Sequence, residues 1–254
     1  MACYCPNMDP VTPVLWRRLL CRSPDDADVP LFGPLLAPTA QADGMFVLGR
    51  MAQTLDGFIA LPDGESHWIS GPEDITHTHR LRALFDAVLV GAGTVAADDP
   101  QLTTRLVEGP SPVRVVVDPT GRLRDHYRVF QGGPETLVLH GPDARPIDRV
   151  AQAHTIRLPT GPFGLDMNAI LAALRARGLR RIFVEGGGIT VSRFLAAGML
   201  DRLHVTVAPL VIGAGIPSFA LPPITRLSDG RRFRWTVHGM GQDILLDIPL
   251  EREA

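Results

Sequence analysis

Two short runs constrain this chain more than any other feature. AVLVG (Ala87–Gly91) and RIFVE (Arg181–Glu185) are apolar through their middles and end at small residues that open a helix, AGT in one case and GGG in the other. Runs of that length without polar alternation are strands covered on both faces, and such strands are joined by crossover helices. VRVVVD, TLVLH and the shorter HTIRL repeat the pattern, and MFVLGRMA with FIAL precedes it. At the far end FRWTVHGMGQDILLDIP reads as an antiparallel hairpin and LHVTVAPLVIG as a strand pair. Early strand–helix alternation followed by antiparallel strands predicts an α/β fold. The expected architecture is one domain with a mixed, mostly parallel sheet flanked by helices and closed by a C-terminal antiparallel hairpin. Its expected span is residues 44–254. Residues 1–43 are proline-rich and lack sustained periodicity, so they read as an irregular arm with a helical turn or two, dispensable for chemistry.

Helix boundaries are marked by local chemistry. Ser70, Gly71, Pro72 and Glu73 have the form of a capping box with proline in the first turn, opening a helix to about Phe85. Asp166 reads as the cap of a second helix that stops at Gly178.

Composition excludes several functions. The net charge of -2 gives no basic footprint for nucleic acid. No apolar run approaches the roughly 20 residues of a membrane helix, and the N-terminus lacks the form of a secretory signal, so a cytoplasmic protein is expected. Cys3, Cys5 and Cys21 form neither a disulfide framework nor a zinc pattern, and no metal is expected. The chain contains no lysine; all 25 basic residues are arginine. That excludes Schiff-base chemistry and a Walker-A loop and leaves arginine forks to hold phosphate.

Four constellations carry candidate chemistry. Glu185 ends a buried strand before Gly186, Gly187 and Gly188, where open α/β sheets bind ligands and a helix N-terminus offers N–H groups to an anion. Gly91, Ala92, Gly93 and Thr94, followed by Asp98, Asp99 and Pro100, repeat that arrangement or form a plain surface turn. Thr54, Leu55, Asp56 and Gly57 are a hairpin-turn signal, with Ser66 and Trp68 behind them. Arg82 and Arg105 are unremarkable singly but would suit a phosphate ester if they converge.

In order and spacing, TLDG, S-x-W-I, H-R-L-R, D-A-V-L-V-G-A-G-T-V, A-D-D-P-x-L-T-x-R and V-E-G-G-G resemble the reductase domain of the bacterial riboflavin-biosynthesis deaminase/reductase, over residues 45–249. The resemblance implies a dihydrofolate-reductase-like fold, a homodimer, and NADPH-dependent reduction of the ribosyl side chain of an aminopyrimidine phosphate to the ribityl form. It implies cofactor contacts from Ala52, Trp68, Thr94 and Asp98, and phosphate contacts from Gly187, Gly188, Ile189, Thr190, Val191, Ser192 and Arg193. Substrate contacts would come from Ser66, Arg82, Leu102, Arg105 and Glu185, with the arginines near the phosphate. Asp98 and Glu185 are the candidate catalytic carboxylates. The chain departs from the family at Thr54, usually serine, and at Arg50, commonly lysine. It has neither the H-x-E nor the P-C-x-x-C of a zinc deaminase, so deamination is not expected of it. Reduction of another pterin or pyrimidine, and a non-catalytic NADPH-binding module, are the rival readings.

Overall fold

The computed structural model describes residues 3–5, 11–22, 26–39, 41–67, 69–145, 153–162 and 164–252. The first half of the chain forms β1 (Cys3–Cys5), α1 (Pro13–Leu20), α2 (Gly33–Leu36), β2 (Phe46–Thr54), β3 (Phe58–Ala60) and α3 (Pro72–Leu84). It continues through β4 (Ala87–Gly91), α4 (Ala92–Asp98), β5 (Val113–Val117), β6 (Thr136–His140) and β7 (Ala153–Arg157). The second half adds β8 (Thr160–Gly161), β9 (Gly164–Leu165), α5 (Met167–Ala176), β10 (Arg181–Glu185) and α6 (Gly188–Ala196). It closes with β11 (Arg202–Ala208), β12 (Ile216–Pro217), β13 (Thr236–Met240) and β14 (Asp243–Pro249).

A ten-stranded sheet runs in the order β1-β13-β14-β11-β2-β10-β4-β5-β6-β7. From β11 to β7 every neighbouring pair is parallel, whereas β14 is antiparallel to both β11 and β13. This is the mixed, mostly parallel sheet with a C-terminal hairpin that the sequence predicts. The period of two divides its side chains between two cores. Phe46, Leu48, Val88, Val90, Val116 and Phe183 pack with α1, α2, α3 and α4 on one face. Val47, Met51, Leu89, Val115, Ile182 and Val184 pack with α5 and α6 on the other. Both faces being covered explains the unbroken apolar strands.

Three local expectations are corrected. The strand pair expected in residues 203–213 is a single strand, β11, followed by a loop that reaches β12 and pairs it with β3. Ser70 is not the cap of α3; Gly71 holds that position without a side-chain cap, and its N–H donates to Asp243 Oδ2 at 2.7 Å. The arm is the largest departure. Its α1 is capped by Thr12, whose hydroxyl accepts from the Leu15 N–H at 3.2 Å, and Trp16, Leu19, Leu31, Phe32 and Leu35 are buried in the same cluster as α3 and β10. β1 extends the sheet parallel to β13. Proline and the absence of a long periodic run concealed two short helices whose apolar side chains close one face of the sheet.

Candidate active site

The site lies where the sheet changes winding direction. The helix after β4, α4, packs with the first core, and the helix after β10, α6, packs with the second, so two neighbouring strands send their connections to opposite faces. A crevice opens beyond the C-terminal ends of strands at such a point. Glycine builds its walls. A Cβ at Gly187 would lie 2.5 Å from Thr94 Oγ1, and one at Gly91 would lie 2.5 Å from Thr190 Oγ1. Gly186 and Gly187 also have φ of 58° and 67°, which L side chains resist. Thr94 and the Gly187–Thr190 turn, distant in sequence, therefore meet at one place, at the N-terminal end of α6, where a helix start offers N–H groups to an anion.

Glu185 anchors the other wall. It shares a strand face with Phe183, and α3 crosses that face with Arg82 turned toward it. The Arg82 guanidinium holds both carboxylate oxygens, Nε to Oε2 at 2.8 Å and Nη2 to Oε1, and its Nη1 donates to the Thr103 carbonyl at 3.1 Å. Burial alone would raise the Glu185 carboxyl, but Arg82, with Arg50 and His79 nearby, holds it below its ordinary value. Asp98 behaves oppositely. It ends α4 with a good deal of its surface open, yet the chain around it raises its carboxyl, against a 3.4 Å hydrogen bond from Ser66 Oγ. The negative field of Glu185 adds to the rise. The two carboxyls thus have opposite tendencies, with the charge of Glu185 felt at Asp98.

The loop over residues 99–112 adds one cation, Arg105, to Arg82 of α3. Leu102 is 1% exposed with φ +56°, a strained plug that packs into the first core. Arg105 is exposed; its backbone N–H donates to His79 Nδ1 at 3.0 Å and its Nη1 to Thr103 Oγ1 at 2.8 Å. Burial, then the charges of Arg82 and Arg128, lower its guanidinium. Burial, then Arg82 and Arg105, push His79 down to about 4, so it is a neutral acceptor at neutral pH. Arg105 and the nearby Arg128, with Arg82 paired to Glu185, give this corner a positive field. The sequence reading named Arg82, Arg105 and Leu102 as candidates and did not name His79 or Arg128, which lie beside them. Alternate arginines and histidines on a helix carry no spacing signal, although the H-R-L-R string already contained His79.

The assigned cofactor residues divide. Ala52 lies toward the C-terminal end of β2, beside Thr206 of β11. Trp68 falls outside the described residues. Within residues 187–193, Gly187, Gly188, Ile189 and Thr190 form the α6 cap and first turn, and Ile189 is 59% exposed. Val191 and Ser192 follow in the helix with their side chains turned inward. Val191 is fully buried in the second core, and the Ser192 hydroxyl is buried while accepting from the Ala220 N–H at 2.9 Å, because a helix turns successive residues to different faces. Arg193 lines a cleft of about 490 Å³ with Pro162, Gly164, Ala220 and Leu221.

A buried polar layer supports this wall from behind. Arg50 pairs with Asp74, which also accepts from Thr206 Oγ1 at 2.7 Å. Burial would raise Asp74, but Arg50, with Ser70 and Thr206, takes it down to about 2. Across β11 and β14, Arg202 and His204 hold Asp247, and His204 Nδ1 lies 3.4 Å from His77 Nε2 on α3.

Residues 45–238 match the family model described as the RibD C-terminal domain. A 2,5-diamino-6-ribosylamino-4(3H)-pyrimidinone 5′-phosphate reductase of Methanothermobacter thermautotrophicus is 35% identical over 207 residues, 80% of this chain and 88% of the relative. A reductase of the same name from Archaeoglobus fulgidus is 33% identical over 186 residues, covering 66% of this chain and 82% of its own. The Escherichia coli riboflavin biosynthesis protein RibD is 29% identical over 215 residues, and this chain spans 58% of it. Among solved structures, the Thermotoga maritima deaminase/reductase superposes with a TM-score of 0.68 at 31% identity, over 81% of this chain and 56% of that one. The Saccharomyces cerevisiae riboflavin biosynthesis reductase gives a TM-score of 0.66 at 25% identity, over 84% and 92%. With the family model covering three quarters of its length and the strand-end glycines, Glu185 and the Asp98 turn in place, the chain belongs to the RibD C-terminal domain family.

Proposed function

We propose that this protein is an oxidoreductase of riboflavin biosynthesis, reducing the ribosyl side chain of an aminopyrimidine ribosylamine phosphate to the ribityl form with NADPH. One observation carries the reading: the turn where Thr94 meets Gly187 and Thr190 precedes a corner where Arg105 feels the charges of Arg82, Arg128 and Glu185, with Arg82 paired to Glu185. A cofactor phosphate cradle and a separate cationic corner suit two phosphorylated ligands meeting over one crevice. The names of the archaeal relatives at 35% and 33% identity agree with that pairing.

When bound, the nicotinamide would supply a hydride to C1′ of the ring-opened sugar in its imine form, whose nitrogen keeps the bond to the pyrimidine and takes up a proton. The chain's own residues do the rest. Gly187, Gly188, Ile189 and Thr190 hold the cofactor phosphates at the start of α6, with Arg193 at the cleft beside them, and Ala52 and Thr94 line its path. Arg105 forks onto the substrate phosphate with Arg82 and Arg128 adding positive field. Glu185, kept ionised by Arg82, accepts hydrogen bonds from sugar hydroxyls or ring amines and orients the reacting carbon; its lowered pKa suits it poorly to give up a proton. Asp98, raised by its surroundings and hydrogen-bonded to Ser66, is the better placed carboxyl to hold the proton that the reduced centre takes up. Leu102 keeps water from the loop base.

We read the enzyme as a cytoplasmic homodimer. Leu210, Val211, Leu221, Ile224, Leu227 and Trp235 are exposed along one stretch, which supports a face for a second copy. No helix among the described residues is long and apolar enough to cross a membrane. The test is NADPH consumption with the ribosylaminopyrimidine phosphate in its amino and its deaminated ring forms. Oxidation with at least one form, weakened by prior removal of the phosphate, is expected. Oxidation equally fast without the phosphate would overturn the role given to the arginines.

A further inference from the structure

Helix α1 lies outside the family-matched residues, yet its side chains close on the loop that carries Arg105. Trp16, 6% exposed, turns its indole N–H away from the core and donates it to the Glu108 carbonyl at 2.8 Å. Its ring is fixed from two other sides, by Phe32 edge-on at 6.4 Å and by the Arg80 guanidinium 5.9 Å over its face. Arg17 reaches the Glu108 carboxylate at 3.2 Å. Leu20 fills the space at Gly109, whose φ is +138° and where a Cβ would lie 3.1 Å from Leu20 Cδ2 and 2.8 Å from Ala83 Cβ. The near half of the same loop is held by α3, through Arg82 on the Thr103 carbonyl and His79 on the Arg105 N–H. Arg105 sits between the two attachments, three residues before the Trp16 anchor.

We propose that α1 is a built-in clamp that positions the phosphate-binding loop, with Trp16 as the positioning residue that acts through the Glu108 backbone. This rests on the reading of Arg105 as the phosphate ligand. A helix serving only as a cover for α3 would need the ring of Trp16 but not its N–H aimed at a loop carbonyl. The Arg17–Glu108 pair is exposed at both ends and adds little; the indole bond and the Leu20–Gly109 contact carry the clamp.

Trp16→Phe in the full chain keeps an aromatic ring against Phe32 and Arg80 and deletes the donor. Amide exchange of residues 104–110 should quicken, and KM for the phosphorylated pyrimidine should rise, each by roughly threefold to tenfold, the factor a lost hydrogen bond is worth. The kcat and the NADPH Kd should stay within about twofold, since a single bond outside the reacting centre is removed. Val14→Ala, on the same helix at a 79% exposed position, should change none of these. Unchanged exchange at 104–110 in Trp16→Phe overturns the clamp. So does exchange that rises equally through α3 and β4, which marks a purely structural tryptophan, or a faster loop with an unchanged KM. Because the exchange measurement needs no substrate, a loosened loop in an enzyme that turns nothing over would support the clamp and sink only the proposed reaction.

Discussion

Arg105 and His79 share one hydrogen bond, and two expectations follow from it. A charge-assisted bond to phosphate is worth about 1.5–3 kcal/mol, so Arg105→Ala should cost roughly ten- to a hundredfold in kcat/KM for the phosphorylated substrate. NADPH affinity should hold, because the cofactor's phosphates are assigned to the start of α6; a mutant that instead loses NADPH binding would move Arg105 to the cofactor. His79 accepts the Arg105 N–H only while its ring is neutral at Nδ1. Its pKa of about 4 in the fold lies below the unfolded value of about 6.5, so its contribution to stability is full above 6.5 and is lost as pH falls toward 4. Acidification to about pH 4, where His79 takes up its proton in the fold, should raise KM for the phosphorylated substrate in wild type more than in His79→Leu, in which the acceptor is already gone. Parallel KM profiles for the two proteins would detach His79 from the loop. At this scale the sequence showed Arg105 and Glu185 through their motifs but not the contact between Arg82 and Glu185. That contact joins residues 103 positions apart, and only the fold brings α3 across the end of β10.

Among the elements, α3 shows why some of the architecture was legible and some was not. Its start was readable from Pro72 and its end from the apolar run that follows. Its buried face was not, because Asp74, His77, Thr78, His79 and Arg82 are all buried on it and no apolar stripe marks them. Burial of this kind is tolerated only where each charge meets a partner. Asp74, about 2 in the fold, contributes stability above its unfolded value near 3.9 that is lost as pH falls toward 2. Asp74→Ala leaves the Arg50 guanidinium buried and unpaired, and should destabilise the protein by about 3–5 kcal/mol, read as a lower denaturant midpoint. An unaltered midpoint would mean that Arg50 finds another partner. The strands β4, β5, β6 and β10 were legible for the opposite reason: both of their faces are apolar.

For the molecule as a whole, the N-terminal segment changes the expected boundary of the folded unit. A chain starting at Asp43 would lose Trp16, Leu19, Leu31, Phe32 and Leu35 from the first core. Burying side chains of this size is worth about 1.5–3 kcal/mol each, so the loss rivals the roughly 5–15 kcal/mol that holds a domain together. Such a chain should be insoluble or melt far below the full-length protein; equal stability of the two would restore the arm to a dispensable appendage. The central claim, that the crevice beyond β4 and β10 brings NADPH to the sugar carbon of a phosphorylated ribosylaminopyrimidine, is tested most directly by isotope transfer. NADPH deuterated at the transferable position of nicotinamide C4 is incubated with the protein and that substrate, and the product is read by mass spectrometry and NMR. One deuterium at C1′ of a ribityl product is expected. NADPH that binds while no label reaches C1′, with either the amino or the deaminated ring, would contradict it.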